Sequence, residues 1–462
     1  MKKYEMNMSE GPLFRKILMY SLPLALSGML QLVFNSADAA VVGRFTGATA
    51  LAAVGSTGAL VNLIVNVFMG LSVGASVVAA QYIGARQARD IYETVQTAMA
   101  ASVVCGVLVA VAGITLSRPL LRLTGSPDDV IDQAALYMRI YFVGMPASML
   151  YNFGAAILRA MGDTKRPLYF LAAASILGVI LNLLFVIVFG MGVAGVAWST
   201  VISQTLAAAM VVICLVRLEN SCRLDIKHIK IYKDKLMKII RIGLPAGLQG
   251  SVFSISNVVV QSSINSFGST VMAGNAAAAN LDGFVYTTTN AVYQAALAFT
   301  SQNVGAKKHG RISRVCYSSC AIAAVGGVMI GGLMYTSGEL LLSIYSKDPA
   351  VIETGMIRLS VMATTYFLCG LMEVLCGVMR GMGKSVLPMM VSVVGACGIR
   401  ILWVFTVFAA HRTLLALYLS YSVSWFVTAS AHFICVMIAK RKLLQAGKST
   451  EPKRGLAFAD VE

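Results

Sequence analysis

Twelve long apolar stretches limit what this chain can fold into. A helix needs about 20 mostly apolar residues to cross a bilayer, and the stretches lack the sustained alternation of membrane β-strands. Only 12% of the residues are charged, whereas soluble domains are about 25% charged. We therefore expect an all-α membrane protein with twelve transmembrane helices. The expected spans are residues 16–41, 51–80, 94–117, 134–158, 168–190, 193–217, 239–266, 276–301, 315–336, 355–379, 386–408 and 414–439.

The basic residues are distributed unevenly between these stretches, which predicts the orientation of the chain. If the N-terminus lies inside, the inner segments hold 29 of the 37 lysines and arginines and the outer segments hold five. Cytoplasmic loops are enriched in Lys and Arg. If one span were missed or added, the later segments would change sides and this uneven division of basic residues would be lost. We expect both termini to be cytoplasmic. Membrane orientation, not nucleic-acid binding, then accounts for the net charge of +17.

The two halves of the chain repeat each other at an offset of 221 or 222 residues. "LPLALSGMLQLVFN" matches "LPAGLQGSVFSISN", "AQYIGA" matches "SQNVGA", and "LRAMGDTKRP" matches "MRGMGKSVLP". Six spans return a chain to its starting side, so we expect two pseudo-symmetric six-helix bundles related by an axis along the membrane normal. The expected parts are an N-lobe at 1–217, a basic linker at 218–238, a C-lobe at 239–440 and a tail at 441–462.

Three of the twenty acidic residues lie well inside predicted spans: Asp38, Asp282 and Glu373. A charge at the centre of a membrane costs about 2.5–3.5 kcal/mol on insertion scales, so it should face a cavity or a partner. Each of the three is therefore a candidate functional residue. The alternative for each is a structural anchor that hydrogen-bonds a neighbouring helix. The repeat aligns Asp38 with Val260, so the shared helix architecture does not require Asp38.

Asp282 begins a polar helix face in the eighth span. Tyr286, Thr289 and Tyr293 follow it at i+4, i+7 and i+11. A carboxylate beside tyrosines suits an organic cation through charge and cation–π attraction, so we expect Asp282, Tyr286 and Tyr293 to bind substrate, together with Glu373. The alternative is ordinary packing in which the tyrosine hydroxyls bond across helices.

Arg400 lies well inside the eleventh span. A buried arginine needs a carboxylate or several carbonyl groups, and Glu373 in the adjacent span is the expected partner. This structural pairing is the alternative to a substrate role for Glu373. Arg139 and Arg358 lie nearer the outer ends of their spans, where we expect their side chains to extend to the interface.

Five segments of this chain are similar to those of the multidrug and toxic compound extrusion (MATE) transporters. The segments are "LPLALSGMLQLVFNSADAAVVGRF", "AQYIGA", "ILRAMGDTKRP", "MGVAGVAWSTVISQ" and "GLPAGLQ". The resemblance covers nearly the whole chain, and because an acid is present in the first span, the chain looks like the bacterial DinF-like branch. It implies two bundles around a V-shaped cavity that opens alternately to each side of the bacterial inner membrane. It also implies export of organic, usually cationic, compounds driven by inward H⁺ or Na⁺.

The resemblance further implies an ion site in the N-lobe. Its residues would be the first-span acid, here Asp38, an Asn and an Asp in the fifth span, and a Thr in the sixth, here Thr200. In this chain Asn182 occupies the position of the Asp and Gly178 that of the Asn, while Asn35 remains one turn from Asp38. One carboxylate is thus missing. Because burial disfavours a charged carboxylate, we favour proton exchange at Asp38 over a Na⁺ site, which stays the alternative.

Pro23 lies about four turns before Asp38 in the same predicted helix. Proline removes a helical hydrogen bond and permits bending. The resemblance implies that this helix bends on protonation, and the alternative is a static kink.

The sequence favours a secondary transporter over other classes of protein. The ATP-binding pattern G-x-x-x-x-G-K-[ST] and the enzyme patterns G-x-S-x-G and H-E-x-x-H are absent, and the nine cysteines form no C-x-x-C pair. We expect no enzyme activity, no cofactor and no metal other than the coupling ion. The expected partners are amphipathic organic cations and the lipid bilayer, and the expected state is a monomer. The alternatives are a channel and a flippase for a lipid-linked precursor, which should have a more cationic cavity.

Overall fold

The fold is described from a computed structural model at residues 5–46, 48–123 and 128–449. The predicted tail at 441–462 lies outside the described residues from position 450 onward. Lys2 and Lys3 of the first predicted inner segment also lie outside them.

The N-terminal half contains the first six predicted spans. Its helices are α1 (Leu13–Phe45), α2 (Ala48–Ala85), α3 (Ala88–Leu123), α4 (Asp128–Val143), α5 (Met145–Ala160), α6 (Lys165–Leu183) and α7 (Gly192–Val216). A π-helical segment, Leu184–Val188, extends α6. The predicted fourth span at 134–158 is bent by 47° where α4 meets α5. Pro146 in the first turn of α5 has no N–H to continue the hydrogen-bond ladder, which explains the break.

The C-terminal half follows a linker with a short 3₁₀ turn, Ile226–His228. Its helices are α8 (Lys233–Asn265), α9 (Ser269–Gly305), α10 (His309–Thr336), α11 (Gly338–Ser343), α12 (Pro349–Gly381), α13 (Val386–Ser392), α14 (Ile399–Trp403) and α15 (Leu414–Ser449). One span, Val386–Phe408, comprises α13, α14 and two π-helical segments, Val393–Gly398 and Val404–Phe408.

The described helices account for all twelve predicted spans, and the short helix α11 lies between the ninth and the tenth. Ten are long and apolar enough to cross a membrane, and the bent pair α4 and α5 makes an eleventh. The twelfth is α9, whose 37 residues occupy the eighth predicted span and include many polar side chains. No strand occurs among the described residues. The all-α, twelve-span prediction is confirmed, whereas the membrane orientation and the lobe boundaries stay predictions.

Glycines bring α2 of the first half into backbone contact with α8 of the second. A Cβ on Gly70 would overlap the backbone of Gly247, and a Cβ on Gly74 would overlap the carbonyl oxygen of Ile239. Small residues allow this close approach, which gives van der Waals contact that lipid tails cannot reach. The two halves therefore pack directly on each other along α2 and α8.

Two glutamine hydrogen bonds join the halves near the C-terminal ends of α2, α5, α9 and α12, next to the basic loops. Gln81 Nε2 donates to the carbonyl oxygen of Gly381 at 3.0 Å, and Gln302 Nε2 donates to that of Ala160 at 2.7 Å. The two donors, Gln81 and Gln302, are 221 positions apart, and so are the two acceptors, Ala160 and Gly381. The two bonds are therefore related by the repeat. We call these four residues the glutamine latch.

The segment before α1 covers the glutamine latch and contacts both halves. Met8 is fully buried, its N–H donates to Gln302 Oε1 at 3.3 Å, and its carbonyl oxygen accepts from Asn303 Nδ2 at 3.2 Å. On the other side, the Met6 N–H donates to the carbonyl oxygen of Met161 at 3.3 Å. The halves are therefore closed on each other at the basic end.

Candidate ion-coupling and substrate sites

Asp38 lies on α1 and faces α6. Asn182 Nδ2 donates to Asp38 Oδ1 at 2.7 Å, and Asn182 is fully buried. Among the described residues no Lys, Arg or His forms an ion pair with Asp38. The structure therefore brings together the two residues that sequence analysis placed opposite each other, as an amide bonded to a carboxyl group.

A cavity of about 60 Å³ lies beside this pair. Asn35, Asp38 and Thr200 line it, and so does Gly178. The family's asparagine is implied at Gly178, so its missing side chain contributes to the open space. The cavity has room for a few water molecules. Sequence analysis did not single out five further polar residues in its lining: Gln31, Ser175, Ser199, Ser203 and Gln204.

The helix that carries Asp38 contacts both halves of the protein. Near its middle, a Cβ on Gly28 would lie 2.9 Å from Thr287 Cγ2 on α9, so α1 packs closely on the second half there. Pro23 lies within α1, which stays helical from Leu13 to Phe45. Bending at Pro23 therefore stays a prediction, but a change at Asp38 has a direct route to the interface between the halves.

A second cavity, of about 600 Å³, lies within the second half. We call it the C-lobe cavity. It is lined by residues from α8, α9, α12, α14 and α15, with Asn66 from α2. Four predicted site residues line it: Tyr286, Tyr293, Glu373 and Arg400. Its size is in the range of pockets that hold drug-sized molecules.

Asp282 does not line the C-lobe cavity but pairs with a residue that does. Arg358 Nε donates to Asp282 Oδ2 at 2.9 Å, and Arg358 Nη1 donates to Asn275 Oδ1 at 2.6 Å. The two charged residues are 4% and 8% exposed, so the expectation that Arg358 extends to the interface is wrong. A buried arginine is tolerated here because a carboxylate compensates its charge. The Asp282 carboxylate is engaged by Arg358 and is not free for a cationic substrate.

Arg400 is also placed differently from the prediction. Its Nη1 donates to Asn257 Oδ1 at 3.1 Å, and its guanidinium lies 4.1 Å from the ring centroid of Tyr421. Among the described residues Glu373 and Arg400 form no ion pair, so the expected partnership is wrong. The reason is that α14 turns this side chain toward α8 and α15, which adjacency in sequence does not reveal. Asn257 is the repeat partner of Asn35.

Arg380 is a cavity residue that sequence analysis missed, because it was counted with the inner basic segment. It is 5% exposed and lines the C-lobe cavity. It donates to Tyr293 Oη at 2.7 Å and to Gln249 Oε1 at 2.8 Å. Glu373 lies seven residues earlier on α12 and lines the same cavity, but among the described residues it forms no ion pair with Arg380. The repeat aligns Arg380 with Arg159, but this match alone does not indicate that Arg380 is buried.

Comparisons with known proteins agree with this architecture. A family model described as MatE matches residues 23–184 and again 245–406. The probable multidrug resistance protein YoeA of Bacillus subtilis is 28% identical over 401 residues, 85% of this chain and 86% of the relative. The probable multidrug resistance protein NorM of Thermotoga maritima is 22% identical over 392 residues, 83% of each. A structure described as the outward-facing conformation of a multidrug resistance MATE family transporter has TM-score 0.88 and 20% identity. The match covers 95% of this chain and 98% of that one.

Proposed function

Because the chain belongs to the MATE family, whose members are transporters and not enzymes, we propose that it exports amphipathic organic compounds by alternating access in exchange for H⁺. YoeA and NorM are both named as probable multidrug resistance proteins, which supports efflux of more than one compound. The observation that carries the proposal is Asp38, a membrane-embedded carboxyl group beside a small polar cavity.

Asp38 is proposed as the proton-carrying residue, with Asn182 as its matched partner. When Asp38 is ionised, it accepts from the Asn182 amide nitrogen, as described above. When Asp38 is protonated, its O–H becomes a donor, and a flipped Asn182 amide offers an oxygen acceptor. The pair therefore keeps its hydrogen bond in both protonation states without a second charge. Na⁺ at Asp38 stays the alternative and would use carboxylate, amide and hydroxyl oxygens, including Asn35 and Thr200.

Alternating access requires the halves to separate at one end while they close at the other. The glutamine latch and the buried segment before α1 hold the basic end closed. If that end is cytoplasmic, as the basic residues predict, this state is closed to the cytoplasm. Proton movement at Asp38 would then shift α1, which contacts Asn182 of the first half through Asp38 and Thr287 of the second half at Gly28.

The predicted cationic charge of the substrate receives little support from the geometry. It depended on Asp282 and Glu373, but Asp282 is paired with Arg358. Among the described residues, Glu373 is the one carboxylate that lines the C-lobe cavity, beside three arginines. A flippase would also need a cationic cavity lining of this kind. We do not propose a flippase because the relatives are named for multidrug resistance.

Transport by the full chain in proteoliposomes tests this function. Movement of two fluorescent dyes, the cation rhodamine 123 and the anion 5-carboxyfluorescein, would be measured under a pH gradient or, separately, a Na⁺ gradient. We expect the pH gradient to drive transport without ATP, and the Asp38→Asn variant to transport at the background rate. The matched control is Asp132→Asn, because the Asp132 side chain is 75% exposed. A requirement for ATP, or equal transport by Asp38→Asn under both gradients, contradicts the proposal.

A further inference from the structure

We propose that the C-lobe cavity binds an amphipathic organic anion. Its carboxylate or phosphate group is held by Arg380 and Arg400, and its aromatic part lies against the rings of the cavity. The inference rests on the proposed function, because it names the substrate class of the transporter's cavity. It replaces the cation predicted from the sequence.

The first argument is the charge of the cavity lining. Arg358, Arg380, Arg400 and Glu373 are the charged residues among the described side chains that line it. Arg358 is neutralised by Asp282 behind it at 2.9 Å. Two arginines then face one carboxylate, which leaves an excess positive charge in a membrane-embedded cavity. An excess of that sign attracts an anion and disfavours a cation.

The second argument is the incomplete bonding of the two arginines. Arg380 and Arg400 are 5% and 2% exposed, and neither forms an ion pair among the described residues. The Nε atom of each is buried without a hydrogen-bond partner in that part of the chain. Their contacts are with neutral groups of Tyr293, Gln249 and Asn257. Buried charge is costly unless it is paired, so both guanidinium groups remain available to an anionic ligand.

The third argument is the chemistry of the surrounding groups. Guanidinium groups bind carboxylates and phosphates with two parallel hydrogen bonds, which an ammonium group cannot match. Tyr286 is 42% exposed and lines the cavity. Tyr366 and Trp425 line it as well, with ring centroids 5.1 Å apart. These rings offer a surface for an aromatic ligand next to the two arginines.

Glu373 gives the proposal a distinguishing consequence. Glu373 lines the same cavity as Arg380 and Arg400, so its negative charge repels an anion bound there. Glu373→Gln should therefore tighten the binding of an anion. For a cationic substrate that contacts Glu373, the same substitution should weaken binding, so the two substrate classes predict opposite signs.

The test uses two dyes that share a xanthene ring system and differ in charge. 5-Carboxyfluorescein is anionic at neutral pH, whereas rhodamine 123, a methyl ester without a free carboxyl group, is cationic. Each would be titrated with the full chain in phosphatidylcholine nanodiscs and followed by fluorescence anisotropy. We expect the wild-type protein to bind 5-carboxyfluorescein more tightly than the cationic dye. The Arg380→Gln and Arg400→Gln variants should each bind 5-carboxyfluorescein roughly tenfold or more weakly than wild type. Glu373→Gln should gain affinity for it.

Matched variants separate binding from folding. Arg139→Gln removes an exposed arginine from another span, outside the C-lobe cavity, and should leave dye binding unchanged. Arg380→Lys and Arg400→Lys keep the charge and should bind the anion better than the Gln variants. Tighter binding of rhodamine 123 than of 5-carboxyfluorescein, or unchanged 5-carboxyfluorescein affinity in folded Arg380→Gln and Arg400→Gln, overturns the inference.

Further arms identify the source of the anion and separate the two proposals. Competition by phosphatidylglycerol in the nanodiscs that disappears in the arginine variants supports the anion site and assigns it to a lipid headgroup. Competition by inorganic phosphate or benzoate alone assigns it to a soluble ligand. Gradient-driven transport of rhodamine 123 without arginine-dependent anion binding refutes this inference and leaves the transporter function intact. Arginine-dependent anion binding without transport supports this inference and refutes the transporter function.

Discussion

Breaking the buried pair of Asp282 and Arg358 should destabilise the protein strongly. Asp282→Asn leaves the guanidinium of Arg358 in a buried position with neutral partners, Asn275 Oδ1 at 2.6 Å and the ring of Tyr418 at 5.6 Å. Removing one partner of a buried ion pair costs about 3–5 kcal/mol, because the remaining charge is uncompensated. The two residues are 4% and 8% exposed, so solvent provides little screening. We expect a loss of about 3–5 kcal/mol in the free energy of unfolding.

The loss can be measured by SDS-induced unfolding in mixed micelles, followed by tryptophan fluorescence. The double variant Asp282→Asn with Arg358→Gln removes both charges and should recover part of the stability. The matched control is Asp132→Asn, which breaks an ion pair with Arg118 whose side chains are 75% and 46% exposed. Such surface pairs contribute about 0–1 kcal/mol. The reasoning is refuted if Asp282→Asn unfolds like wild type but fails to bind substrate, because Asp282 would then be a substrate ligand.

Three further predictions concern the basic end of the protein. Gln302→Ala removes the bonds to Ala160 and Met8, so hydrogen exchange should become faster in residues 5–11; unchanged exchange would show that the latch is not a closing contact. Gly305→Ala places a Cβ against the carbonyl oxygen of Gln81, so the apparent melting temperature of the protein should fall. Gly310 has open space around it, so the control Gly310→Ala should melt like wild type. Asp163→Ala removes the acceptor for the N–H groups of Lys165 and Arg166 and should cost about 1–3 kcal/mol in unfolding free energy. A smaller loss would show that these two hydrogen bonds do not stabilise the start of α6.

The helices could be predicted from the sequence because the membrane imposes one solution on each long apolar stretch. Backbone groups in lipid must bond within their own segment, so length and hydropathy locate the helices. The break at Gly144 was missed because apolar composition continues through it, although Pro146 gave a local signal. The position of Asn182 opposite Asp38 followed from the family pattern.

Partnerships between distant helices could not be predicted in the same way. Arg358 and Asp282 are separated by 76 positions, and their pairing depends on how α9 and α12 are rotated against each other. Arg400 was assigned to Glu373 because their spans are adjacent, but its helix directs it to Asn257. Arg380 was assigned to a loop by charge alone, whereas α12 extends far enough to bury it beside Tyr293. Hydropathy locates helices but does not fix their rotation.

Proton movement coupled to substrate movement tests the central claim most directly. Proteoliposomes would contain the pH-sensitive dye pyranine and would receive a substrate gradient with no initial pH gradient. The account predicts that wild type moves protons against the substrate flow and that Asp38→Asn, with intact substrate binding, moves none. Equal proton flux in wild type and Asp38→Asn would contradict the assignment of Asp38 as the coupling residue.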